Sequence, residues 1–184
     1  KIPWSTTSGP DIGKTFGVND GGGTMSVVSS YIGWEDTFPA FSWCSRQGKG
    51  WYLPTISELK SIYRHKSEID PKLTDKLTDY WACEDKSGSD AYLVKINGGL
   101  LYSWGKIYSL NVRAVSTFGK VSTAGIPKTK APYKVGDFYY DGVRSGIVFE
   151  ASEDGNEGKI VSMYEQGEAS WTFSKDESDR LIGA

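Results

Sequence analysis

A chain of 184 residues with a formal charge of −2 is long enough for one large domain, or one domain and part of another, with a core that needs no disulfide staples. Near-neutral charge without any basic block argues against a nucleic-acid surface, so nucleic acid is not an expected partner. No apolar run has the length of a membrane span, and Lys1-Ile2-Pro3-Trp4 lacks the pattern of a signal peptide, so any export signal is expected to have been removed or to lie beyond this chain.

Seven Trp, eleven Tyr and twenty-two Gly against two Met describe a β-rich protein with many tight turns and large planar side chains, a composition common in exported binding modules. Cys44 and Cys83 are too far apart for a CxxC redox motif and too few for a zinc cage. One disulfide between them and two buried thiols are both open readings.

In chain order, Gly21-Gly22-Gly23 ends at Thr24, which is suited to cap a short helix through Met25, Val27, Val28 and Tyr31. Asp36 or Thr37 caps the next, with Pro39 in its first turn and Phe38, Phe41 and Trp43 or Cys44 spaced for one face. The stretch Gly50 to Tyr63 is the strongest local signal. Pro54 bars helix from the residue before it, and Thr55 with Glu58 forms a capping box, so a helix starts at Thr55. Ile56, Leu59, Ile62 and Tyr63 are its predicted core face, and Ser57, Lys60, Ser61 and Arg64 its outward one. Lys66 to Asp79 reads as turns or one short helix.

From Tyr80 the period becomes strand-like. Tyr80 to Cys83 is a predicted strand, and Ala91 to Ile96 and Leu100 to Trp104 form a hairpin around Asn97-Gly98-Gly99, where the first pair tolerates positive φ. Tyr108 to Phe118 is a further strand with Val112, Ala114 and Ser116 alternating against Arg113, Val115 and Thr117. Residues 119–134 contain two prolines and no acid, and are the predicted linker. Beyond it the chain restarts as β: Val135 to Tyr140, Gly146 to Ala151, Lys159 to Tyr164 and Ala169 to Phe173, with turns at Asp141-Gly142 and Asp154-Gly155-Asn156. Ile2-Pro3-Trp4-Ser5-Thr6 near the start parallels Ala169-Ser170-Trp171-Thr172 near the end, a weak internal repeat.

Four motifs in order, Phe38-Pro39-Ala40-Phe41-Ser42-Trp43-Cys44, Gly50-Trp51-Tyr52-Leu53-Pro54-Thr55 with Glu58-Leu59, Tyr80-Trp81, and Val112-Arg113-Ala114-Val115, resemble a known group. It is the C-type-lectin-like domain at the C-terminus of bacterial collagen-like adhesins, found often in tandem in exported proteins of gut anaerobes. The resemblance covers about residues 24 to 118 and implies an α+β, C-type-lectin-like fold with two main helices, antiparallel sheets and long ligand-presenting loops. In that fold the first hairpin precedes the helices. Here its strands are expected from residues 135 to 173, in a circularly permuted arrangement or by a swap with a neighbouring chain, and intramolecular closure is favoured. The expected organisation is a lectin-like core at 1–118, a linker at 119–134, and a β-rich segment at 135–184 that completes the same fold or begins a second module. A C-terminal strand between 146 and 164 should then lie beside the Tyr108 to Phe118 strand or the N-terminal stretch.

Calcium-dependent sugar binding needs clustered carboxylate and amide oxygens. Asn19-Asp20, Glu84-Asp85 and Asp90 lack the settings that sugar-binding C-type lectins show, and they read as turn residues, so no metal and no cofactor is expected. His65 stands without an identifiable nucleophile, and the acidic residues single out no carboxylate pair. Cys44 and Cys83 do not sit where the formylglycine-generating oxidases of the same scaffold carry their reactive cysteines. Trp51, Tyr52 and Trp81 are read as core.

The candidate ligand-binding residues are therefore Tyr102, Trp104, Lys106, Tyr108 and Asn111. Leu100, Tyr102 and Trp104 share a strand face, Tyr108 adds a ring, and Lys106 and Asn111 supply polar groups. The expected function is a non-enzymatic, secreted or cell-surface adhesion module that binds a glycan, a glycosaminoglycan or a host or neighbour-cell protein. A structural repeat module that self-associates by strand exchange is the alternative, and a carbohydrate-active enzyme the weaker one.

Overall fold

The computed structural model describes residues 1–6, 20–119 and 132–166. The elements are β1 (Ile2–Pro3), α1 (Gly21–Val28), α2 (Trp34–Thr37), α3 (Pro39–Arg46), β2 (Trp51–Tyr52), α4 (Ile56–Arg64), α5 (Lys66–Ile69) with a 3-10 turn at Asp70–Lys72, β3 (Asp79–Asp85), β4 (Asp90–Lys95), β5 (Leu100–Gly105), β6 (Ser109–Leu110), β7 (Val115–Phe118), β8 (Phe138–Tyr140), β9 (Ser145–Ala151) and β10 (Gly158–Ser162). The fold is mixed α+β, with short helices and several antiparallel sheets.

Each helix starts where the local chemistry allows. The Asp20 side chain accepts from the Gly23 N–H at 2.7 Å, so α1 begins at Gly21 and Thr24 lies inside it rather than capping it. Gly21 is required by packing, since a Cβ there would sit 2.6 Å from the Tyr52 ring. Pro39 occupies the first turn of α3 as its fixed φ favours, but the residue before the helix is Phe38, and Asp36 and Thr37 belong to the short α2. At α4 the capping box is complete: Thr55 Oγ1 accepts from the Glu58 N–H at 3.1 Å, and Glu58 Oε2 accepts from the Thr55 N–H at 2.8 Å. The buried face of α4 differs from the expected one. Because the helix is wedged between β3–β4 on one side and β9 on the other, Glu58 and Ser61 are buried with Leu59 and Ile62, while Tyr63 is exposed.

Three antiparallel sheets organise the strands: β2-β7-β10-β9-β8, β3-β4-β5, and the small β1-β6 pair. The β4–β5 hairpin forms with Lys95 opposite Leu100, and Gly98 and Gly99 both have positive φ. A Cβ at Gly99 would lie 2.5 Å from the Tyr63 ring, so the hairpin tip is seated on α4. The expected single strand from Tyr108 to Phe118 is two, β6 and β7, with Val112-Arg113-Ala114 between them. All of Val112 to Ser116 is buried, because Val112 and Ala114 join one apolar cluster and Val115 joins the other. Alternation therefore does not separate a wet face from a dry one there.

Strand β10 pairs with β7, Ile160 opposite Ser116 and Val161 opposite Val115, and so lies where a C-terminal strand was expected. The rings of Phe118, Tyr133 and Tyr139 meet within 4.7–5.3 Å, joining the two ends of the 119–134 stretch. Residues 120–131, and the strand expected at Ala169 to Phe173, lie outside the described residues. Cys44 and Cys83 are buried free thiols, so the bridge is not formed, and burial pushes both thiols well above the usual range.

Candidate functional site

The hairpin strand β5 is an edge: it pairs with β4, and no other described strand joins its far side. Tyr102 and Trp104 lie on the same face as Leu100, opposite Leu93, Ala91 and Lys95 of β4 respectively. Leu93 and Ala91 are core residues packed with Trp4 and Trp81, so this row is the uncovered margin of a sheet face whose centre is buried. Tyr102 is 46 % exposed, Trp104 54 % and Tyr108 55 %. The Trp104 and Tyr108 rings stand 5.7 Å apart at 57°, and a Cβ on Gly105 would lie 2.9 Å from Tyr108, so the tyrosine ring is laid over that glycine. The three expected rings thus form one surface.

Lys106 and Asn111 do not belong to it. The Lys106 side chain is fully buried, with its amine 2.9 Å from Asp85 Oδ2 and 4.8 Å from the centre of the Trp4 ring. Its backbone N–H donates to Ser89 and its carbonyl accepts from Ser5. A buried ammonium requires a partner charge, and here the pair fastens the turn after β5 to the end of β3. Asn111 is half-buried and donates its side-chain amide to Thr78 Oγ1, while its carbonyl accepts from the Trp81 N–H. It is part of a polar network in which the Arg113 guanidinium donates to Tyr80 Oη at 3.1 Å and to the carbonyls of Ser162 and Asp75 at 2.8 Å. Tyr80 in turn donates to Glu165, and burial pushes its phenol up to about 12. This network ties residues 162–165 to β3.

What the sequence reading missed is Lys95, whose amine lies 4.5 Å from the centre of the Tyr102 ring. The signal was available, since pairing Lys95 with Leu100 places it diagonally across from Tyr102. Leu101 and Ile107 are also exposed, Leu101 on the opposite face of β5 from Tyr102, where Lys86 donates to Ser103.

The acidic groups are committed elsewhere. Glu58 accepts from Tyr52 Oη at 2.8 Å and pairs with Lys159 at 3.0 Å in addition to its cap. Glu84 accepts the Ile56 N–H through both oxygens, and burial pushes its carboxyl up to about 7. Asp154 accepts from Ser152 and Asn156 in the β9–β10 turn, and those bonds hold it down at about 2. Among the described residues no group of three His, Cys, Asp or Glu side chains is placed to hold a metal ion. His65 ends α4. Two shallow depressions, about 520 Å³ beside Tyr63, Lys66 and Asp70 and about 270 Å³ beside Phe118, Glu150 and Lys159, both lie away from the rings. No described helix is long and apolar enough to cross a membrane. Compared with protein-family models, curated proteins and solved structures, the chain matches none.

Proposed function

We propose that this chain is a non-enzymatic ligand-binding module of C-type-lectin-like fold, working in adhesion outside the cell, and that its ligand is a glycan or a protein held on the rings of Tyr102, Trp104 and Tyr108. The observation that carries the reading is the pairing of exposed aromatics with a rigid base. Trp104 and Tyr108 are about half exposed, yet the turn between them is fastened by the buried Lys106–Asp85 pair. Exposed apolar surface of this kind marks interaction sites, and Trp and Tyr supply large contact area at low entropic cost because they have few rotatable bonds. Lys95 beside Tyr102 adds a cation at the margin, which suits a ligand carrying acidic groups or oxygen acceptors. The motif order from Phe38 to Val115 supports the lectin-like assignment, as do paired short sheets packed around a capped helix.

A second reading, assembly through strand addition, is favoured by one feature: β5 is an edge strand of six residues without a charge or a proline, the devices that normally protect an edge. A glycan array and a panel of extracellular-matrix proteins, probed with the wild-type chain and with Trp104→Ala and Tyr108→Ala, test the proposal. Binding that both substitutions abolish supports the ligand reading; concentration-dependent self-association with no ligand supports assembly instead.

A further inference from the structure

Strand β5 is paired on one side only, and its register says which backbone groups are left over. The Lys106 N–H donates to the Ser89 carbonyl at 2.9 Å, so residues 89 and 106 form a bonded rung at the end of the β4–β5 ladder. Bonded rungs recur at every second residue, which makes Ala91 with Trp104, Leu93 with Tyr102 and Lys95 with Leu100 the bonded ones. Leu101, Ser103 and Gly105 therefore turn their N–H and C=O groups to the free edge. The Gly105 carbonyl already accepts from the Tyr108 N–H at 3.0 Å, and the Tyr108 ring lies over that glycine. Leu101 and Ser103 hold the outward groups that a further strand would meet.

These groups are arranged to complement themselves. A two-fold axis through Tyr102, normal to the sheet, sets Leu101 of one copy opposite Ser103 of a second, and each of the two rungs so formed exchanges both of its N–H···O bonds. Tyr102 then faces Tyr102 across an unbonded rung, where side chains come closest, and Leu100 faces Trp104. A slip of one residue would bring inward-turned groups to the seam, and a slip of two would require Gly105 to pair beneath the Tyr108 ring. The chain leaves the edge clear, because after Lys106 it pairs with β1 and bridges Tyr80 at Asn111, on the β3 side of the sheet. No charge meets its like at the seam: β5 has none, and the Lys95 side chains of the two copies stand three strand spacings apart, about 14 Å, beyond the screening length.

We propose that the free edge of β5 docks a second copy of this chain, β5 against β5 and antiparallel about Tyr102, so that the β3-β4-β5 sheet continues into its own symmetry mate. Because the axis is normal to the sheet, the rows Leu100, Tyr102 and Trp104 of both copies come out on one face and form a single aromatic surface. Each copy thereby supplies rings to the other's surface; that this shared face takes the ligand rests on the function proposed for the rings. The contact is confined to one short strand and its side chains, short of the ~1,200 Å² of a stable interface, so the dimer is weak and concentration-dependent.

The test is sedimentation of the full chain over a concentration series without ligand, with urea unfolding as the control for folding. Ser103→Pro removes an outward N–H and leaves the β4 ladder its bonds, and Leu101→Lys sets a charge at the exposed seam. Each should raise the dimer dissociation constant at least about tenfold while the chain stays folded. The register is read by oxidation: Tyr102→Cys should form a covalent dimer, since the facing Cα atoms lie about 4.5 Å apart, and Ser103→Cys, which faces Leu101, should not. A wild-type chain that stays monomeric throughout would overturn the proposal, as would variants that dimerise as tightly as wild type; equal cross-linking of the two cysteine variants would overturn the register. A dimer that binds nothing on the glycan array and matrix panel supports the contact and removes the ligand reading, whereas a ligand held by a strictly monomeric chain does the reverse.

Discussion

The start of α4 and the far edge of β5 are built on opposite rules. At α4 nearly every polar atom has a partner: Glu58 answers Thr55, Tyr52 and Lys159, and Glu84 answers Ile56. At β5 the rings of Tyr102 and Trp104 are large, apolar and half uncovered. The first arrangement commits its carboxylates to the fold, and Glu84 is architectural although burial raises its carboxyl to about 7. The second leaves contact area unspent on a strand that the Lys106–Asp85 pair holds in place. Perturbed titration alone is thus a poor guide to function here, and unspent surface a better one.

The largest expected effect is at the pair beneath the rings. Lys106→Ala leaves the Asp85 carboxylate buried without its counter-charge and should cost about 3–5 kcal/mol, read as a fall in the urea midpoint. Glu58→Ala removes half of the capping box, takes the acceptor from the Tyr52 hydroxyl and leaves Lys159 with Glu150 alone, which should cost about 2–4 kcal/mol, with Glu58→Gln recovering part of it. If either substitution is silent, the contrast between a committed and an uncommitted region fails.

Glu84 sharpens the contrast through pH. Burial raises its folded-state value to about 7 from the ordinary 4.5, so the folded chain holds this proton more tightly than the unfolded one. Its contribution to stability is full below about pH 4.5 and is lost as pH rises through about 7. Glu84→Gln should therefore flatten the difference in stability between pH 5 and pH 8, an effect of about 2–3 kcal/mol at most. A variant with the same pH profile as wild type in that window would remove Glu84 as its cause.

How much of this was readable in the chain depends on range. The capping box spans four positions, so Pro54, Thr55 and Glu58 declared it directly, and the hairpin was declared by its glycines. Lys106 could not be read, because its partner Asp85 lies across the sheet and its cover, Trp4, lies at the other end of the chain. In sequence it is one more polar residue between rings, and only tertiary packing turns it inward. Asn111 failed for the same reason, since Thr78 and Trp81 are its partners. Ser61 and Tyr63 exchanged their expected sides because α4 is covered on two flanks, which a single apolar stripe does not foretell. The rings of Tyr102, Trp104 and Tyr108 were legible because strand period alone places the first two together.

The smallest stability effect belongs to the rings. Trp104→Ala should change the urea midpoint by no more than about 0.5 kcal/mol equivalent, since its side chain is half exposed at an edge. Tyr102→Ala should behave alike, losing about 0.5–1 kcal/mol from the contact with Lys95.

The most direct test of the binding face is calorimetric titration of the ligand found on the array into wild type and Trp104→Ala, with urea unfolding of both as the control. The account predicts at least about a tenfold loss of affinity, the effect of removing a central aromatic anchor, with an unshifted unfolding midpoint. Equal affinity of the two proteins would contradict it and place the ligand elsewhere on the molecule.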